Sequence, residues 1–98
     1  MANVAKDDAV QARRFHVSGR VQGVGFRWFV EKHAVEIGVQ GYTANLDDGR
    51  VEVYAIGTQA QLDELAGWLH RGPAMSEVRE VQSEEAAPKK VSGFRIAR

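Results

Sequence analysis

The sequence predicts an α+β domain, a mostly antiparallel sheet of four to five strands with two helices on one face. Three observations predict it. Apolar residues recur at helical spacing in two separate stretches, Phe26 to Ile37 and Leu62 to Leu69. Short strand-like runs precede and follow each stretch. Between them Asp47-Asp48-Gly49 makes a hairpin turn in mid-chain. The resulting order is strand, helix, strand, strand, helix, strand, plus a terminal strand. Two strand–helix–strand units in succession form the split, ferredoxin-like arrangement.

Each element has its own signal. Ala12-Arg14-His16-Ser18 alternates with Arg13-Phe15-Val17, so a first strand has a mostly polar side and a side with two core residues. Phe26, Phe29, Val30, His33, Ala34 and Ile37 make the stripe of the first helix, and Gly38 stands where a C-cap glycine belongs. Tyr42 to Leu46 and Val51 to Ile56 are the hairpin strands. Gly57-Thr58 opens the second helix, with Thr58 and Gln61 at capping-box spacing. Its stripe is Leu62, Leu65, Ala66 and Leu69, and Gly72-Pro73 stops it. Val78 to Ser83 reads as a strand, Ala86 to Lys90 as a loop, and Phe94 with Ile96 as a short last strand. The pairs Glu84-Glu85 and Lys89-Lys90 read as solvated ends around that loop. Met1 to about Gln11 mixes small and charged residues without a period and is expected to be a flexible tail, leaving residues 12–98 as the domain.

Composition narrows the function classes. Thirteen basic and 13 acidic residues among 98 leave a formal net charge of zero, so there is no general electrostatic hold on nucleic acid or an acidic membrane. Any anion affinity must be local. The absence of cysteine excludes disulfides, thiolate metal sites and a cysteine nucleophile, and fits a cytoplasmic location. No apolar run approaches membrane-spanning length, and the N-terminal residues lack the apolar core of a signal peptide.

Gly19-Arg20-Val21-Gln22-Gly23-Val24-Gly25-Phe26-Arg27 links the first strand to the first helix. No Ser, Thr, Asp or Asn occurs from Gly19 to Phe26, so the first-turn amides of the helix lack a local side-chain acceptor. Glycines allow successive amides to point inward, and such a nest at a helix N-terminus is an anion site. Arg27 adds a planar guanidinium suited to phosphate oxygens. The glycine pattern alone is equally met by a turn capped by water with Arg27 solvated. A Walker loop is excluded, because Gly25 is followed by Phe26-Arg27 rather than Lys-Ser/Thr, and a dinucleotide fingerprint lacks its third glycine, Trp28 standing there.

This nine-residue run closely resembles the signature of the acylphosphatases. A second stretch, Gly41-Tyr42-Thr43-Ala44-Asn45-Leu46-Asp47-Asp48-Gly49-Arg50-Val51-Glu52, resembles the family's glycine, aromatic and asparagine before an Asp-Gly hairpin. Gly72-Pro73 and the closing Phe94-Arg95-Ile96 are also similar, so the likeness covers about Arg13 to Arg98. The resemblance implies a ferredoxin-like fold and a small metal-free hydrolase of the carboxyl–phosphate bond of acyl phosphates, with no cofactor. It implies that Arg27 holds the substrate phosphate, that Asn45 orients the attacking water, and that the backbone amides of Gly19, Arg20, Val21, Gln22, Gly23 and Val24 form the phosphate cradle. The chain departs from the family pattern at Ala44, where many relatives carry a basic residue, at Thr43, where valine is common, and at Tyr42, where tryptophan is frequent. The alternative on the same fold is a non-catalytic anion-binding regulatory module. An RNA-binding reading of this element order needs exposed aromatics on the central strands and a basic surface, and Val51 to Ile56 offers one aromatic, Tyr54, and an acid, Glu52. The expected partner is a small-molecule acyl phosphate, with no nucleic acid or membrane, and the expected state is a monomer.

Other residues have structural readings. His33 lies on the apolar stripe of its helix and is expected to be a partly buried structural histidine. His70 is in a last helical turn, where positive charge suits the dipole, and His16 is opposite Phe15 and Val17. No two histidines have ligand spacing on one element. Ser18 has no paired base and reads as a strand-end hydroxyl. Asp47 and Asp48 are explained by their turn. Trp28 and Trp68 flank their stripes, as cover or as contact surface. Arg20 either draws anions toward the cradle or solvates a loop.

Overall fold

The computed structural model describes residues 9–98. Seven elements follow in order: β1 (Gln11–Arg20), α1 (Phe26–Ile37), β2 (Gln40–Asn45), β3 (Val51–Gly57), α2 (Gln59–Arg71), β4 (Glu77–Ala86) and β5 (Phe94–Ile96). The strands form one sheet in the order β4-β1-β3-β2-β5. All pairings are antiparallel except β2 with β5, which is parallel. This is the expected α+β, ferredoxin-like split βαβ sandwich. Residues 1–8 of the expected tail lie outside the described residues, and β1 begins at Gln11, paired with Gly57, one residue before the alternating pattern starts.

Both helices cover one face of the sheet. Phe15 and Val17 of β1, Val51, Val53 and Ala55 of β3, and Phe94 of β5 pack there against Phe26, Val30 and Ala34 of α1 and Leu62, Leu65 and Leu69 of α2. Burying these side chains supplies the main driving force, about 1.5–3 kcal/mol for each large apolar one. The helix ends follow their sequence signals. Gly38 caps α1 in the left-handed region with its N–H on the Ala34 carbonyl. Thr58 and Gln61 make both bonds of the capping box. Between the helices, His33 stacks on Trp68 with ring centroids 3.8 Å apart, and Phe29 meets His33 edge-on. His33 is therefore packed structure, as its place on the stripe suggests.

The opposite face of the sheet is not open. β4 and β5 are opposite edges, so the chain between Ala86 and Phe94 must cross the sheet. It crosses over Tyr54, whose hydroxyl donates to the Ala87 carbonyl (2.7 Å) and accepts from the Lys89 N–H (2.9 Å). Val91 packs onto Ala12, Tyr54 and Ile56. The Lys89 ammonium lies 5.3 Å from the Tyr54 ring centre. Tyr54 is thus fully buried, not the exposed platform that RNA recognition requires. Beside it, Glu52 accepts from Tyr42 Oη (3.3 Å) and lies 3.0 Å from His16 Nε2 and 3.5 Å from Arg14 Nε.

The charged pairs Glu84-Glu85 and Lys89-Lys90 are exposed, as expected, but two details differ. Glu84 and Glu85 are within β4, opposite Arg14 and Arg13 of β1, so the strand runs three residues past Ser83. Lys89 is part of the clasp over Tyr54 instead of a free end. Periodicity missed the first because β4 is a solvated edge strand whose charges, useful against edge-to-edge pairing, hide its alternation.

Candidate active site

The connection from β1 to α1 is shaped by two different demands on glycine. Gly19 belongs to the sheet. The β1–β4 register shifts between Ser18 and Gly19, and a Cβ on Gly19 would collide with the Glu77 carbonyl oxygen. Arg20 is the last residue of β1, opposite Glu77, and exposed. Past this bulge the chain turns through Val21 to Gly25. Gly23 (φ 75°) and Gly25 (φ 79°) have left-handed backbones, while among the described residues no non-glycine has positive φ. The sign of φ therefore alternates along Gly23-Val24-Gly25, the pattern that turns neighbouring amides to one side. A Cβ at either glycine meets nothing within 4 Å, so backbone conformation alone calls for glycine there.

These amides are left unspent. Gly25 caps α1 without any side-chain bond, and the first helical hydrogen bond runs from Phe29 N–H to the Gly25 carbonyl (3.0 Å). Among the described residues no protein acceptor receives an N–H from Val21 to Trp28. A run of free donors at a helix N-terminus carries positive potential. Arg27, half-buried in the first turn of α1, makes no ion pair with the described residues, so its guanidinium adds to that potential.

Asn45 ends β2 on the same side of the sheet. It pairs with Val51, and both point to the helix face. Its N–H donates to the Arg98 carbonyl (2.7 Å), and Ala97 N–H to the Thr43 carbonyl (2.8 Å), so the segment after β5 holds the end of β2. Asn45 Oδ1 is buried, with no hydrogen-bond partner among the described residues. Such an orphan is costly unless a water or ligand meets it.

One hollow of about 150 Å³ unites these parts, lined by Val21, Gly23, Gly25, Phe26, Arg27, Trp28, Asn45 and Ile96. Of the residues expected from sequence, it gathers Val21, Gly23, Arg27 and Asn45. Gln22 Nε2 instead donates to the carbonyls of Leu46 (2.8 Å) and Arg50 (3.0 Å), tying the loop to the β2–β3 turn just past Asn45. That role was not apparent in the sequence, where Gln22 counted only for its amide. Trp28 and Ile96 also enter the site without having been singled out for it. Ser18, His16, His33 and His70 do not line it. A larger hollow, about 460 Å³, lies over Arg14, His16, Gln82, Ser83 and Glu84, and it holds neither the free amides nor Arg27. No three His, Cys, Asp or Glu side chains cluster for a metal among the described residues.

The three departures from the family pattern sit away from this hollow. Thr43 is buried and donates to the Glu52 carbonyl (2.9 Å). Tyr42 stacks on Tyr54 on the far face (5.5 Å between centroids). Ala44 is buried opposite Glu52, its side chain alternating away from Asn45.

A split βαβ sandwich whose first loop presents bare amides, beside a helix arginine unpaired among the described residues, defines a small anion-handling α+β domain. The comparisons make this specific. The family model described as acylphosphatase matches residues 13–96. An acylphosphatase of Solibacter usitatus (strain Ellin6076) is 56% identical over 86 residues, covering 88% of this chain and 90% of the relative. The solved structure of an acylphosphatase from Coxiella burnetii superposes with a TM-score of 0.87 at 36% identity, covering 96% of this chain and 99% of the other. Full-length HypF, in its phosphate- and nucleotide-bound form, matches with a TM-score of 0.86 at 28% identity, over 92% of this chain but 12% of its own length. The chain belongs to the acylphosphatase family. No helix among the described residues is long and apolar enough to cross a membrane.

Proposed function

We propose that this chain hydrolyses acyl phosphates to carboxylate and inorganic phosphate by a route that needs no metal. The amides of Val21 to Gly25 and the first turn of α1 receive the phosphate, Arg27 neutralises it, and Asn45 holds the attacking water. The reaction asks for little more. The leaving carboxylate is a weak base and needs no general acid. What is needed is a bound dianion, an in-line water and stabilised charge on the phosphoryl oxygens. Asn45 has no basic group, so the proton of the water passes to a phosphate oxygen of the substrate as the water's oxygen bonds to phosphorus and the carboxylate departs. Gly19 and Arg20 support the cradle from within β1, where the bulge sets the exit direction of the chain. The chain acts in the cytoplasm, a reading supported by its lack of cysteine.

The observation that carries this reading is that Asn45, an uncharged amide with both a donor and an acceptor, lines the same hollow as Arg27. A module that only binds anions has no need of it beside a guanidinium and a nest of free N–H groups. Its amide can hold a water with the water's lone pair free for phosphorus. The test is hydrolysis of benzoyl phosphate with chelator present. Asn45→Ala should retain inorganic-phosphate binding and lose at least about a hundredfold in kcat, the size of one lost positioning or charge-stabilising group. Arg27→Ala should lose phosphate binding as well, and Arg27→Lys should fail substantially, a point charge replacing a fork. Parent-like rates in Asn45→Ala and Arg27→Ala would overturn the assignment, and chelator-sensitive activity would overturn the metal-free route.

A further inference from the structure

The hollow around Arg27 and Asn45 has two kinds of wall. One is polar: Gly23, Gly25, Arg27 and Asn45. The other is apolar: Val21, Phe26, Trp28 and Ile96. Val21 and Phe26 are buried core residues that close the floor. Trp28 and Ile96 are not: Trp28 is 70% exposed and Ile96 36% exposed, so they form apolar lips at the mouth, one from α1 and one from β5. At about 150 Å³ the hollow is smaller than pockets that enclose whole ligands, about 300–1,000 Å³. Only the phosphate end of a substrate is enclosed, and the acyl end must emerge past these lips.

The position of the Trp28 ring is not accounted for by any aromatic or cation–π partner among the described residues. Trp68, the other tryptophan, is stacked on His33, approached by Phe29 and overlain by Arg71. Trp28 joins no aromatic pair, cation–π contact or hydrogen bond among the described residues. It directly follows Arg27, so the residue that fixes the phosphate also fixes where the indole stands relative to it.

We infer that Trp28 is the specificity-determining residue for the acyl half of the substrate, favouring flat or bulky apolar acyl groups, which rest on the indole while the phosphate occupies the cradle. A small acyl group is too short to cover the ring and gains little. This inference rests on the acyl phosphate hydrolysis proposed above. The acyl group is bonded to the phosphate through one oxygen, so contact with the indole is made in both ground and transition states. It lowers KM for apolar acyl groups and changes kcat little.

The experiment compares kcat/KM for benzoyl phosphate and acetyl phosphate in the parent, Trp28→Ala and Trp28→Phe. Trp28 is exposed, so neither variant should disturb the fold, which a thermal melt checks. Trp28→Ala should lower kcat/KM for benzoyl phosphate about tenfold, chiefly through KM, the scale of one aromatic contact. Acetyl phosphate should change less than about twofold, inhibition by inorganic phosphate should be unchanged, and Trp28→Phe should restore most of the benzoyl preference. An equal fall for both substrates would overturn the inference, since Trp28 would then act on the cradle. So would no change for either. A parent that hydrolyses neither substrate fails earlier and differently, because it removes the proposed activity itself.

Discussion

Gln22 Nε2 donates to the carbonyl of Leu46 at 2.8 Å, and this bond joins the glycine loop to the strand end that carries Asn45. The same nitrogen donates to the Arg50 carbonyl at 3.0 Å across the turn. Neither carbonyl depends on it: Leu46 O also accepts from Gly49 N–H and Arg50 O from Leu46 N–H. Gln22→Ala therefore leaves no buried acceptor stranded and should cost only about 1 kcal/mol of stability. Its effect on turnover should be larger, between about tenfold and a hundredfold in kcat, because the proposed cradle and the asparagine proposed to hold the water are no longer held in register. Gln22→Glu should be worse in both respects, turning carboxylate oxygens toward two carbonyls. Denaturant melts and steady-state rates on the same preparations separate the two effects.

The glycines of the loop should behave oppositely under the same substitution. Gly19→Ala forces a methyl group into the Glu77 carbonyl and must undo the β1–β4 bulge, at a cost of about 3 kcal/mol or more. Gly23→Ala meets no neighbour and costs about 1–2 kcal/mol, the penalty of a left-handed backbone. Calorimetry with inorganic phosphate should then show weakened binding in Gly23→Ala even where its fold is intact, because its amides no longer converge.

Tyr54→Phe keeps the buried ring and deletes both bonds that clasp the connection between β4 and β5. Ala87 and Lys89 are exposed and can turn to water, so the loss should be about 1–2 kcal/mol rather than that of two stranded groups. Hydrogen exchange should quicken at Lys89 and in the residues around Val91, while the helix-side core exchanges as before.

Asp48 gives the hairpin a pH dependence. The Arg50 backbone N–H, foremost, and then its side chain hold the Asp48 carboxyl below the ordinary aspartate range. A pKa depressed by folding means the carboxylate stabilises the fold above the unfolded-state value, and that contribution is lost as pH falls through the folded value. The melting point of the parent should exceed that of Asp48→Ala at neutral pH, with the gap closing in acid below the usual aspartate range. An NMR titration of the Asp48 carboxyl checks the direction directly.

Much of this architecture is legible in the residues because local signals and tertiary packing agree. The two helical stripes, the Thr58–Gln61 box and the Asp-Gly turn all act within a few residues of themselves, and all appear in the fold. The site is legible in part for the same reason: an uncapped helix start is visible as the lack of Ser, Thr, Asp and Asn. What escapes is long-range. Gln22 reaches Leu46, Tyr54 reaches Ala87 and Lys89, and Gly19 yields to Glu77, and no periodicity encodes such pairings. Trp28 reads from the sequence only as cover or contact surface, because a residue outside a helix stripe looks the same whether it meets solvent or a ligand.

The bond from Asn45 N–H to the Arg98 carbonyl ties the hollow to the segment after β5. Cutting the chain after Ile96 removes both bonds that hold the end of β2 there and touches none of the amides of the glycine loop. A protein shortened in this way should still bind inorganic phosphate and turn over acyl phosphate more slowly, so binding and turnover would be separated without altering either Arg27 or Asn45.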